Sequence, residues 1–171
     1  AGAVWLDEVK TSVYKFYQFW LNVDDESAID YLKLFTLLSR DEIEGLEKAT
    51  NENPAGREAQ RVLAHEVTKL VHGGARAEQA RNVTAALFGD TPFEQLFEGE
   101  LDMLAAEIPV SASSHVVNAL VTSGLASSNG EARRLIDGGA VSVNGQKIVE
   151  DIELPVPSLI KKGKNSFVLV R

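Results

Sequence analysis

Cysteine is absent from this 171-residue chain. That excludes a disulfide framework and thiolate chemistry, and it is compatible with a reducing, intracellular setting. Proline is scarce, with 5 residues, and nothing in the composition is disordered, collagenous or of low complexity. No apolar run approaches the roughly 18 residues that a membrane span requires. The opening AGAVWLDEVK has no basic stretch followed by an apolar one, so no signal peptide is read there. Positive charge is also in deficit. Lys and Arg total 17 against 25 Asp and Glu, a net charge of −8, which argues against a non-specific DNA binder. Catalytic motifs are missing as well. There is no G-x-S-x-G, no glycine-rich phosphate loop after a strand and no G-x-x-x-x-G-K-[ST]. His65 and His72 stand seven apart on one helix, but metal binding wants i and i+4, and the fourth residue after His65 is Lys69. No nucleophile is assembled with a base, so neither a catalytic nor a metal site is expected.

What is present is a soluble globular composition, 44% hydrophobic and 25% charged, sufficient for one medium domain or two small ones. The charge is unevenly spread. Residues 1–114 carry 10 basic and 20 acidic side chains, a net of −10. Residues 115–171 carry 7 basic and 5 acidic ones, a net of +2, which suggests two modules with different roles.

The first module reads as helical. Trp5 to Asn22 is dense in aromatics and predicts a helix buried on more than one side. Eight of the twelve aromatics fall within the first 35 residues; base stacking could use a few, but hydrophobic core is the better reading. Asn22 to Glu26 is a polar break of cap formers, after which Ile29, Leu32, Leu34 and Phe35 resume a short helix. Ser39 and Glu42 have capping-box spacing and open another, through Leu46. Asn51 to Gly56 is a loop. Val62, Leu63, Glu66, Val67, Leu70 and Val71 follow the 3.6-residue period of a helix from about Arg57 to His72, ended by Gly73-Gly74. Another covers Ala77 to Phe88, and residues 90–112 are short helical pieces and a linker.

The second module changes period. Ser113 can cap a helix with Val116, Val117, Leu120 and Val121 inward. Ser127 or Ser128 caps a second, with Ala132, Leu135 and Ile136 inward. Val141 and Val143, then Asn144-Gly145, Lys147 and Ile148, predict a β-hairpin with a type I′ turn. Phe167 to Val170 predicts a last strand. Arg133 and Arg134 lie off the core face of their helix, Lys147 follows the turn, and Lys161, Lys162 and Lys164 flank a glycine. These six can gather around one surface, a cluster that phosphates favour through counterion release. His115 sits at a helix start with no function assigned.

The string from Gly124 to Ile148, GLASSNGEARRLIDGGAVSVNGQKI, resembles the small alpha-L RNA-binding module of ribosomal and tRNA-synthetase proteins. Asn129 departs from the Arg or Lys frequent there, which removes one expected phosphate contact. GAVWLD (Gly2 to Asp7), KTSVYKFYQFWLN (Lys10 to Asn22), FTLLS (Phe35 to Ser39), LVHG (Leu70 to Gly73) and GKNSF (Gly163 to Phe167) resemble the C-terminal part of bacterial tyrosyl-tRNA synthetases. The family usually has Pro where Val13 stands.

The resemblance implies an α+β fold: a helical anticodon-binding domain over 1–108, then a ribosomal-protein-like RNA-binding domain over 109–171 with two helices and a short β-sheet. It implies tyrosine tRNA as partner, with no DNA and no membrane, and a cytoplasmic location. The H-I-G-H-like and K-M-S-K-S-like motifs of the catalytic domain are absent. ATP and magnesium therefore belong to the parent ligase and no cofactor to this chain, which is expected to be monomeric and unable to activate tyrosine, while the parent dimerises through its catalytic domain. By the same resemblance Asp25, in Asn22-Val23-Asp24-Asp25, reads the first anticodon base. A carboxylate accepts from both the N1–H and the amino group of guanine. A helix N-cap role also fits Asp24 or Asp25. Asn165 lies near the middle base, and Arg133, Arg134, Lys161, Lys162 and Lys164 hold the backbone and the long variable arm. Two other readings remain: a stand-alone protein for structured ribosomal RNA, and a protein–protein adaptor built on the acidic helices.

Overall fold

The computed structural model describes residues 4–89 and 91–171. Gly2 and Ala3 of the GAVWLD motif lie outside them. Among the described residues the chain forms eight α-helices and one five-stranded mixed sheet, an α+β fold. It divides into two compact units, Ala1–Arg81 and Asn82–Arg171.

The first unit is all helical. Helix α1 spans Val13–Leu21, much shorter than the Trp5–Asn22 helix expected from its aromatics. The reason is local. The Asp7 carboxylate takes the N–H of Val9, and its carbonyl takes those of Lys10 and Thr11, so the backbone turns instead of coiling. Trp5, Leu6 and Val9 are consequently exposed. Ser12 then caps α1 by accepting from the Lys15 N–H, and buried Val13 takes the first helical position, where the proline usual in the family is also well tolerated. Tyr14, Phe16, Tyr17 and Trp20 are buried, as the core reading required.

Helix α2 (Asp25–Phe35) is capped by Asp24, and α3 (Arg40–Glu52) by a complete Ser39–Glu42 capping box. Helix α3 continues six residues past its expected end at Leu46, and Pro54–Gly56 make a short 3-10 turn. Helix α4 (Glu58–His72) is the central element, packing against α1, α2 and α3. Its buried residues are Ala59, Gln60, Leu63, Ala64, Val67 and Thr68, so its inner face is rotated from the expected one and Leu70 is 60% exposed. Small Ala59 and Ala64 admit close helix approach, which hydrophobicity alone does not reveal. Gly73, with φ of 88°, ends α4, and α5 (Gly74–Phe88) follows directly.

The second unit starts within α5. The stretch expected as short helical pieces and a linker holds a 3-10 turn at Phe93–Gln95 and helix α6 (Glu98–Ala105), and also strand β1 (Val110–Ser111), which was not expected. Helices α7 (Val116–Thr122) and α8 (Asn129–Asp137) precede β2 (Val141–Val143), β3 (Gln146–Lys147), β4 (Ser158–Lys162) and β5 (Ser166–Val170). The sheet order is β1-β5-β4-β2-β3, with β1 parallel to β5 and the other pairs antiparallel. The β2–β3 hairpin is as expected: Asn144 and Gly145 both have positive φ (48° and 82°), the requirement of a type I′ turn. One sheet face packs Val141, Val143, Ile160, Val168 and Val170 against Val116, Leu120, Ala132 and Ile136.

Ser113 does not cap α7. Its hydroxyl pairs with Ser111, and the Asp151 carboxylate, 34 residues away in sequence, accepts the Val117 N–H at 3.0 Å. Ser128 caps α8, and Ser127 bonds Glu131, so both serines act there.

Candidate nucleic-acid interface

The break between α1 and α2 is built from three directions. Asn22 turns its amide back onto the Gln18 carbonyl at 2.7 Å. Asp24 is committed to capping: its two oxygens accept the N–H and the hydroxyl of Ser27, each at 2.8 Å. Those bonds hold the Asp24 carboxyl below its ordinary 3.8. Asp25 is therefore not the cap. It is half-buried, and its Oδ1 accepts from Gln60 Nε2 at 2.6 Å. From α4's N-terminus, Arg57 Nη2 donates to the carbonyls of Leu21 (2.8 Å) and Val23 (3.1 Å), pinning the backbone that leads into Asp25. A carboxylate has about four lone-pair sites, so Gln60 leaves room for two further donors.

Neither Gln60 nor Arg57 was found by sequence reasoning. The available signal was weak: a glutamine on the inward face of a helix whose other inward residues are small or aliphatic.

In the second unit the six basic residues do not gather on one surface. Strand alternation separates Lys161 from Lys162. Lys147, Ser142, Lys161 and Phe167 form one cross-strand row on the sheet face away from α7 and α8. That face forms one side of an open groove of about 850 Å³, whose walls include Phe93, Asn144, Lys147, Leu159, Lys161 and Phe167. Lys161 lies over the Phe167 ring, 5.4 Å from its centroid, with its ammonium 3.5 Å from the Leu87 carbonyl. Lys162 points the other way and donates to the Leu125 carbonyl beside α8. It also lies near Glu131, whose carboxyl is held below its ordinary 4.5 chiefly by the Ser127 hydroxyl and N–H, with Lys162 and Arg134 adding to the effect.

Arg133 and Arg134 are exposed on α8, with Arg134 Nε reaching the Gly130 carbonyl at 3.3 Å. Lys164 and Asn165 are exposed in the β4–β5 turn. Arg133, Arg134, Lys147 and Lys164 form no ion pair among the described residues. Their charge is available to an external anion, whereas that of Lys162 is directed into the fold.

His65 bridges Glu66 (3.2 Å) and Glu78 (2.9 Å), and His72 packs edge-on against Phe16. Among the described residues no three His, Asp or Glu side chains are placed to hold a metal ion. No described helix is long and apolar enough to cross a membrane.

Residues 1–89 match the family described as "tRNA synthetases class I (W and Y)", and residues 93–171 match the "Tyrosine--tRNA ligase SYY-like C-terminal domain". The tyrosine–tRNA ligase of Limosilactobacillus fermentum is 42% identical over 183 aligned positions, covering 99% of this chain and 43% of the relative. That of Ligilactobacillus salivarius is 39% identical, with 99% and 44% covered. A C-terminally truncated mitochondrial tyrosyl-tRNA synthetase from Aspergillus nidulans is 38% identical over 46% of this chain and 22% of that one, with a TM-score of 0.45. The chain thus spans less than half the length of these curated relatives. It belongs to the class I tRNA synthetases of the W and Y group, within which it corresponds to the C-terminal part of a tyrosyl-tRNA synthetase.

Proposed function

We propose that this chain is the tRNA-recognising part of a tyrosine–tRNA ligase, binding the anticodon and the long variable arm of tyrosine tRNA. The observation that carries the reading is the Asp25 carboxylate, held by one oxygen on a buried amide and set on a backbone clamped by Arg57. A fixed acceptor of this kind suits guanine, which offers an N–H and an amino group side by side. Adenine does not offer that pair. Asn165, exposed in the β4–β5 turn, supplies an amide donor and acceptor to the middle anticodon base. Arg133, Arg134, Lys147 and Lys164 meet phosphates, and Lys161 lines the groove together with Lys147; such contacts position the RNA without reading it. Lys162 drops out of this set because its ammonium is bound to the Leu125 carbonyl.

Tyrosine activation, with its ATP and magnesium, and dimerisation are assigned to the portion of the relatives that this chain does not match. The chain alone then binds tRNA as a monomer. The test is fluorescence anisotropy with labelled bacterial tyrosine tRNA against a tRNA with a short variable arm and another anticodon. Tighter, salt-sensitive binding of tyrosine tRNA is expected. Asp25→Ala is expected to weaken it by about 1–3 kcal/mol, roughly 5- to 150-fold, the size of one good base contact. Equal affinity of wild type for tRNAs with the first anticodon base intact or replaced removes Asp25 from the reading.

A further inference from the structure

Gln60 occupies a position where an amide is out of place. It is wholly buried, and Ala59, Leu63 and Ala64 around it on α4 are equally inaccessible. Its Nε2 donates to Asp25 at 2.6 Å, but its Oε1 is buried with no hydrogen-bond partner among the described residues. A leucine or methionine fills such a site without desolvating an amide, and a half-satisfied buried amide costs stability that packing does not return. What the amide achieves is control of one carboxylate. Asp25 stands at the first position of α2 directly after the capping Asp24. A carboxylate there has a broad, nearly two-fold χ2 and free helix N–H groups within range. Without a fixed donor it would swing toward the start of the helix and present no defined acceptor pair. The amide's own orientation is also determined, since turning Oε1 toward Asp25 would set an oxygen against a carboxylate oxygen.

Arg57 works on the same segment from one turn earlier in the chain. Its left-handed backbone (φ of 51°) starts α4, and its guanidinium holds the Leu21 and Val23 carbonyls. Arg57 thereby fixes the main chain and Gln60 the side chain. We infer that Gln60 is the positioning residue for the specificity of this site: it aims the Asp25 carboxylate so that a base with two adjacent donors is chosen over one without them. This rests on the reading that Asp25 meets the base.

The experiment measures two quantities for wild type, Gln60→Met and Asp25→Asn. One is the ratio of affinities for tyrosine tRNA with guanine against adenine at the first anticodon position. The other is the thermal midpoint. Gln60→Met is expected to reduce the guanine preference at least fivefold while the midpoint holds or rises, because the methionine removes an unpaired buried amide. Asp25→Asn is expected to abolish the preference. An unchanged preference in Gln60→Met beside a lost one in Asp25→Asn overturns the positioning role and leaves the Asp25 contact standing. A preference that survives Asp25→Asn overturns both. Should Gln60→Met fail to fold, Gln60→Asn keeps a polar side chain and withdraws the donor by one methylene. Loss of preference there supports the inference, and a lowered midpoint with the preference intact assigns Gln60 to packing alone.

Discussion

Replacing Arg133 and Arg134 together by alanine should flatten the salt dependence of tRNA binding, and replacing Lys162 should not. The size of the effect follows from where the charges stand. Both arginines are exposed on α8 and pair with no carboxylate within ion-pair distance among the described residues. Each phosphate neutralised by such a side chain contributes about 0.7–0.9 to the slope of log affinity against log salt. Two lost contacts remove about 1.4–1.8 from that slope, so a fourfold rise in salt should weaken wild type roughly tenfold more than the double variant. Lys162 carries the same formal charge one strand position from Lys161, but its ammonium is on the Leu125 carbonyl and shares the field of Glu131. Lys162→Ala should leave the slope unchanged and lower folding stability by about 1 kcal/mol, the net worth of one such hydrogen bond. The assay is fluorescence anisotropy with tyrosine tRNA at several salt concentrations, each variant first checked for a cooperative melt. An unchanged slope in the double arginine variant takes α8 off the RNA surface. A slope reduced by Lys162→Ala refutes the burial argument, since it means the ammonium leaves Leu125 for a phosphate.

That contrast also marks how far the sequence could be read. Elements whose determinants are local were legible. Ser39 and Glu42 contain a whole capping box within four residues, and Asn144-Gly145 contains a whole type I′ turn. The aromatic core of α1 and the inward residues of α8 were legible for the same reason, because helical spacing is a local property. Features built by distant partners were not. Nothing near Val117 announces that Asp151 caps α7, and nothing near Asp25 announces Gln60, 35 residues on. Strand β4 was missed because Leu159-Ile160-Lys161-Lys162 reads as a basic run, and only pairing with both β2 and β5 makes it a central strand. The single basic surface failed at that point: residues next to each other in sequence lie on opposite faces of a strand, so counting lysines overstates what one RNA can touch. Asp25 was singled out by family resemblance alone, and the hydrogen bonds add what no local signal carries: Asp24 makes the cap, while Asp25, half-buried, is held by Gln60.

Two further outcomes follow from these contacts. Asp151→Ala removes the acceptor for the Val117 N–H and should cost about 0.5–2 kcal/mol, typical of a lost helix cap. For a unit of this size each kcal/mol lowers the melting temperature by about 4–8 °C, so calorimetry showing no shift would mean that Asp151 caps nothing. The second outcome concerns pH. His72 has its pKa lowered from the ordinary 6.5, first by burial, with Glu8 opposing and Arg76 assisting. Asp24, Glu42 and Glu131 are lowered too, by hydrogen bonds to Ser27, Ser39 and Ser127. In all four cases the folded state binds protons less readily than the unfolded one. Stability from each is complete above its unfolded value and is lost as pH falls toward the folded value. Two steps should result: a first decline as the pH drops below 6.5, from His72, and a second below 4.5, from the carboxylates. His72→Leu should abolish the first step and keep the second, because a leucine beside Phe16 has no proton to gain. Urea unfolding of both proteins across that range is the check. If wild type and His72→Leu decline in parallel below pH 6.5, the first step belongs to another group, and the edge-on packing of His72 against Phe16 is indifferent to its charge.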